Sequence, residues 1–475
     1  MTISKALASV KFTIYHGSIV HTPKFGEIEF ILNARVGVDK EGTIAYIKKE
    51  PLVGTVLEEA KNQVPGLKEE IEVQDITGHP LRFFFPGFID AHIHAPQYPN
   101  CGAFNNLELM DWMNKYTYPI EVSLGDTQRA EKVYEKTVSR TLESGTTFCA
   151  YFATRHLEST KILTDKAFAH GQRTYIARSC QDKGFDYYTD KDLGDALEQN
   201  QKMHDYIKSL DPDFNVIKPA LAPRSADQCS RPLLKKMGEI AEETKLPIQV
   251  HMCESDGERK MILDVFPEFK EYSDIYNHHG LLNSRTILGH CVKITESDYD
   301  LVSLNRSGIA HCPTSNTSVG SGEAQVRKML DRGIKVGLGT DISAGFSPSI
   351  LRTVQYAVLN SIHVAMKSKS LRDKLSVNEC LYLATMGGAK VCNMEKKVGS
   401  FAVGKSWDAQ YIDLTKSPTL DIFDFQVPDM EKVQKGDESE KEKFQDVVDK
   451  WVFTGDDRNT RKVYVNGRCV INKGS

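Results

Sequence analysis

The chain has 475 residues, 40% hydrophobic and 26% charged, close to the average of a globular protein and long enough to bury a large core without disulfide staples. Lys plus Arg number 60 and Asp plus Glu 64, a net charge of -4. No basic field exists to draw in polymeric nucleic acid, and no apolar run approaches the roughly 18 residues that would make a membrane a partner. The ten cysteines are scattered without a C-x-x-C pair, which predicts free thiols in a reducing, cytoplasmic setting. Lys5 and Lys11 interrupt the first twenty residues, so no secretory leader is expected, and the tail from Asn472 to Ser475 matches no organelle address.

The first eighty residues predict short strands: 12–15, 27–32 and 43–47 are β-branched or aromatic and are separated by Gly, Pro and charged turns. The middle, residues 82–396, alternates apolar strands with amphipathic helices. Strands are predicted at 87–90, 146–150, 173–177, 216–221, 247–250, 286–289, 308–310 and 335–339, with helices between them such as 232–244 and 323–331. Eight such units over about 300 residues predict a (β/α)8 barrel of the TIM type. An open doubly wound sheet is the competing architecture, but no glycine-rich phosphate loop supports it. Residues 409–412, 462–465 and 469–471 return to strand character, and Asn466-Gly467 predicts a tight hairpin. Both ends, 1–81 and 397–475, are therefore expected to combine into a small all-β sandwich domain. The charged run 429–450 reads as solvated surface without chemistry.

Chemistry concentrates where the predicted barrel strands end. In Pro86-Gly87-Phe88-Ile89-Asp90-Ala91-His92-Ile93-His94, strand alternation puts His92 and His94 on one face, able to reach a single divalent ion. An H-x-H pair is common, and its weight here comes from its place at the C-terminal end of a barrel strand, where active sites sit. In Gln249-Val250-His251-Met252-Cys253-Glu254, His251 can be a third ligand and Glu254 a proton carrier; alternatively Glu254 simply favours a helix dipole. His290, after Ile287-Leu288-Gly289, and Asp341, after Gly337-Leu338-Gly339-Thr340, can equally be a satisfied core histidine and a helix cap. Their order decides the matter: H-x-H, His, His and Asp, each at the end of a separate strand.

In that order and local context the chain resembles the amidohydrolase superfamily, and within it the guanine deaminases of eukaryotic type. Further matches are Gln97 in His94-Ala95-Pro96-Gln97-Tyr98-Pro99, Arg224 in Ala222-Pro223-Arg224, His311-Cys312-Pro313-Thr314-Ser315-Asn316 and Gly455-Asp456-Asp457-Arg458-Asn459. The resemblance covers nearly the whole chain. It implies one Zn2+ per chain, held by His92, His94, His251 and Asp341. Binuclear relatives carry a modified lysine at the end of strand four; here that end is Ala222-Pro223-Arg224, and Lys218 lies six residues before the arginine.

The implied reaction is hydrolytic deamination of guanine at C2 to xanthine and ammonia, with water as co-substrate. Asp341 and His290 orient the water and take its proton, while Glu254 protonates the ring and the leaving amine. Gln97, Arg224, Ser225, Glu254 and His290 form the implied substrate site, with the arginine fork suited to the O6 and N7 edge of guanine. Ser225 departs from the family, whose members usually carry an aromatic residue there. The resemblance also implies a homodimer. Alternatives are a deaminase or chlorohydrolase acting on a triazine, adenine or cytosine, and a catalytically silent relative used as a scaffold. A zinc deaminase of the H-x-E and C-x-x-C type is excluded: His156-Leu157-Glu158 meets the first half, but no C-x-x-C exists.

Overall fold

The computed structural model describes residues 11–68, 70–104 and 106–474. The stretch containing Lys5, read as lacking a leader, and Ser475 of the tail lie outside the described residues. Eight parallel strands form one sheet in strict chain order: β1 Phe88–His94, β2 Thr146–Phe152, β3 Arg173–Cys180, β4 Ile217–Pro223, β5 Ile248–Met252, β6 Thr286–His290, β7 Gly308–His311 and β8 Lys335–Leu338. These strands are buried along nearly their whole length, which is why they read as continuous apolar runs rather than alternating ones. The seam between β8 and β1 closes at the mouth. Asp341 N–H donates to the His92 carbonyl at 2.9 Å, and His94 N–H to the Ile342 carbonyl at 3.2 Å. Asp90, wholly buried and with its pKa pushed up by burial to about 7, ties the same seam by accepting from Thr340 N–H at 3.0 Å.

Helices cover the outside of the barrel. Thr127–Glu143 starts where the Asp126 side chain accepts from the Gln128 and Arg129 amides, and buries Ala130, Tyr134, Val138 and Leu142 at four-residue spacing. In Arg231–Thr244, Ser230 caps the start, and Leu233, Leu234, Met237 and Ala241 face inward. Burying each such Leu contributes about 1.5–3 kcal/mol. The amphipathic stripe, more than helix propensity, holds these helices in place.

The chain ends build one mixed sheet beside the barrel. Across it run Arg468–Asn472, Thr460–Val465, Ala409–Asp413, Arg82–Pro86, Phe12–Lys24, Glu27–Val38 and Ile44–Lys48, and Ile71–Asp75 pairs with the start of Phe12–Lys24. Arg82–Pro86, which patterning assigns to the start of the barrel region, is the strand that joins the two chain ends, with Pro86 opposite Ala409 and Arg82 opposite Asp413. Asn466 (φ 48°) and Gly467 (φ 72°) make the two-residue turn of the terminal hairpin. The run 429–450 is more structured than its charge suggests. Helix Glu438–Thr454 buries Phe444, Val447, Val448 and Trp451 at helical spacing, and the Trp451 ring packs 5.6 Å from Phe83, 5.1 Å from Phe85 and 6.2 Å from Phe88. It thereby pins the mixed sheet to β1.

Candidate active site

Register assembles the site at the barrel mouth. His251 lies opposite Gly289, and Met252 opposite His290, across β5 and β6. Gly289 and Gly339 flank the His92 side chain: a Cβ on Gly289 would sit 2.8 Å from Cε1 of His92, and one on Gly339 2.8 Å from its Cβ. Only glycine at these two strand ends leaves room for that imidazole. His290 (φ 69°) and Asp341 (φ 47°) take left-handed backbone as their strands end, a conformation that costs about 1–3 kcal/mol and concentrates at functional sites.

Four side chains converge on one point. Nε2 of His94 is 3.0 Å from Nε2 of His251, and Oδ1 of Asp341 is 3.3 Å from Nε2 of His92 and 3.5 Å from Nε2 of His94. A tetrahedral ion with bonds of about 2.0–2.1 Å needs ligand atoms about 3.3 Å apart, which these spacings meet. Both ring nitrogens of His92 and Nδ1 of His94 are buried with no hydrogen bond among the described residues, a costly state that a metal ion taking the one lone pair of the neutral His92 ring would in part relieve. Burial pushes the pKa of His94 and His251 well below the ordinary imidazole range, with nearby cationic groups adding to it, and lowers that of His92. These rings are therefore neutral, the form that binds metal. Burial opposes the charge of Asp341, but its interactions with His290, His92 and His94 together outweigh it and hold the carboxyl well below its usual range. The donor set fits a divalent metal.

Beside this cluster stands a proton-handling pair. His290 Nε2 is 3.5 Å from Oε2 of Glu254 and 3.8 Å from Oδ2 of Asp341, while its Nδ1 bonds Oδ1 of Asn316 at 3.0 Å. Since that amide oxygen can only accept, Nδ1 carries the proton and Nε2 faces the pocket. Burial pushes Glu254 up to about 7, the His290 charge pulling it down and Asp341 pushing it up. Burial opposes protonation of His290, but Glu254 and Asp341 outweigh it and raise its pKa. Glu258, one helical turn on, accepts the Glu254 N–H at 3.1 Å and is pushed up to about 8 by burial and by the Glu254 charge.

A pocket opens above these groups. Gln97, Arg224 and Ser225 line it, together with Trp112, Tyr118 and Met261. Arg224 is 3% exposed, and its Nη1 donates to both oxygens of Glu121 at 2.9 Å. It thus combines a buried ion pair with a place on the pocket wall. Burial works against its charge, but Glu121 more than offsets this and raises its pKa. Ser225 donates to Asp227 at 2.5 Å. Lys218 is the second residue of β4, at the opposite end from Arg224.

All nine residues singled out from the sequence gather at this mouth, drawn from five of the eight strand ends. Glu121, Asn316 and Glu258 were not singled out for a role. Asn316 lay within a matched stretch, and Glu258 follows Glu254 at helical spacing. Glu121 carried no sequence signal, since its partner Arg224 is 103 residues away.

A buried cluster of imidazoles and a carboxylate at the C-terminal mouth of a closed β/α barrel defines a metal-assisted hydrolase. Residues 83–470 match the amidohydrolase family model, and the chain belongs to the amidohydrolase family. It is similar to a probable guanine deaminase of Schizosaccharomyces pombe, 41% identical over 460 residues covering 96% of this chain and 83% of that one. The guanine deaminase of Homo sapiens is 32% identical over 466 residues, covering 96% of each chain. Among solved structures, guanine deaminase from C. acetobutylicum with guanine in its active site superposes with a TM-score of 0.82 at 28% identity, covering 97% of this chain and 100% of that one.

Proposed function

We propose that the protein is a guanine deaminase, hydrolysing guanine at C2 to xanthine and ammonia with one zinc ion held by His92, His94, His251 and Asp341. The observation that carries the reading is the meeting of His92, His94, His251 and Asp341 with Glu254, His290, Arg224 and Gln97 at one barrel mouth. Zinc in that cluster would lower the pKa of water toward about 7, making a nucleophile available at neutral pH.

The side chains account for the protons. His290, its Nδ1 committed to Asn316, presents Nε2 as a base, and Asp341 Oδ2 beside it helps orient the water. Glu254, protonated up to about 7, donates to the ring nitrogen next to C2 as the C–O bond forms. A second proton, passed from the attacking water through this pair, goes to the exocyclic amine. The C–N bond then breaks, ammonia leaves with the bonding electrons, and the hydroxyl left on C2 returns its proton to Glu254 as the carbonyl of xanthine forms. Arg224 reads the O6 and N7 edge, where adenine would present an amino group, and Gln97 holds the base beside it.

Cysteines scattered without a C-x-x-C pair support a reducing, cytoplasmic setting, and among the described residues no helix is long and apolar enough to cross a membrane. The family resemblance implies a homodimer, which light scattering would read directly. The deciding experiment is ammonia release from guanine, adenine, cytosine and a triazine. Guanine is expected to lead by orders of magnitude, while preference for another heterocycle, or inertness with zinc loaded, would overturn the reading. Two tightly held ions per chain would overturn the single-metal assignment.

A further inference from the structure

One carboxylate reaches both side chains that would read the base. Glu121, wholly buried on helix Tyr118–Ser123, accepts Nη1 of Arg224 on both oxygens, Nε2 of Gln97 on Oε1 at 2.8 Å, and the Tyr188 hydroxyl on Oε2 at 2.9 Å. Resting on the guanine reading above, we propose that Glu121 is the positioning residue that sets purine recognition, by locking Arg224 and Gln97 in the orientation that meets O6 and a ring nitrogen.

The hydrogen-bond chemistry leaves little freedom. An ionised carboxylate only accepts, so the amide of Gln97 must turn its nitrogen to Glu121. Its oxygen then faces the Ser343 N–H, which only donates, at 3.3 Å. Both ends of the amide are thereby assigned, and one N–H of the amide is left for an acceptor on the base. On Arg224 the carboxylate takes Nη1 alone; among the described residues Nη2 and Nε bond no other side chain or backbone group. That leaves the outer edge of the guanidinium as a donor pair for a carbonyl and its neighbouring nitrogen. A guanidinium otherwise explores several rotamers, and holding one before substrate arrives lowers the ordering cost of binding.

Glu121 also links distant parts of the barrel. Gln97 lies three residues beyond His94, Arg224 directly follows β4, and Ser343 lies two residues beyond Asp341. Through this network, the edge that reads the base keeps a set distance from the metal ligands. Glu121 itself is absent from the pocket wall, so it acts through its partners rather than on substrate.

The test compares wild type, Glu121→Gln and Tyr188→Phe as zinc-loaded full-length enzymes, with guanine and with 2-aminopurine, which lacks O6. Losing a charged partner typically weakens binding about ten- to hundredfold. Glu121→Gln is expected to raise KM and the equilibrium Kd for guanine by about that factor, change kcat by less than about threefold, and shrink the preference for guanine over 2-aminopurine about tenfold. Tyr188→Phe, which removes one neutral hydrogen bond and leaves Arg224 and Gln97 intact, should move KM in the same direction by about threefold and covers the case in which Glu121→Gln fails to fold. Folded variants with unchanged KM and unchanged preference would overturn the proposal, as would loss confined to kcat. If wild type releases no ammonia from guanine, the functional reading falls instead, and the Kd comparison still tests Glu121.

Discussion

Replacing Glu254 with Gln separates proton transfer from binding. The carboxyl is 7% exposed and stands 3.5 Å from His290 Nε2, so Gln preserves its shape and a donor but cannot exchange a proton. General acid–base catalysis is typically worth 10²–10⁴-fold, or about 3–5.5 kcal/mol of barrier. We expect kcat to fall by about that factor, with zinc content unchanged and guanine Kd within about threefold. Stability should respond in the opposite sense. Burial raises the folded-state pKa to about 7, above the ordinary value near 4.3. The stability this carboxyl contributes is full below the ordinary value and is lost as pH rises through about 7, because its charged form must then stay buried. Glu254→Gln should therefore raise the Tm at pH 8 and leave it unchanged near pH 4. Assays are ammonia release under saturating guanine, metal analysis, and thermal melts at the two pH values. A variant retaining near wild-type kcat would remove Glu254 from the chemistry, and a Tm lowered equally at both pH values would refute the burial account.

His92→Ala removes a ligand whose two ring nitrogens make no hydrogen bond among the described residues, and metal affinity should fall by more than about 100-fold, read by metal content after dialysis against a weak chelator. Asn316→Ala frees Nδ1 of His290 and is expected to lower kcat about tenfold and shift the pH–rate profile, with guanine KM little changed. Trp451→Ala removes a wholly buried ring that joins Phe83, Phe85 and Phe88; it should cost about 3–5 kcal/mol in urea denaturation, and a loss under about 1 kcal/mol would mean that helix Glu438–Thr454 does not pin the sheet to the barrel.

Local pattern carried far in this chain. Eight apolar runs, each of strand length and separated by helical stripes, define a barrel because both periodicities are written in consecutive residues. His92 and His94 could be placed on one face for the same reason, and the Asn466–Gly467 turn because few residues accept positive φ twice in a row. Composition misled at 438–454, where abundant Lys and Glu mask an apolar stripe of four residues at helical spacing. The role of Arg82–Pro86 was illegible because a run built on three phenylalanines suits either sheet, and its partner Ala409–Asp413 lies more than 300 residues away.

The ligand residue types and the strand ends that bear them were thus readable one segment at a time, since backbone alternation and strand length depend only on near neighbours. The clamp on Arg224, the tautomer of His290 and the raised carboxyls of Glu254 and Glu258 were not. Each depends on a partner brought close, or on water removed, by packing between remote segments, and no local pattern encodes either.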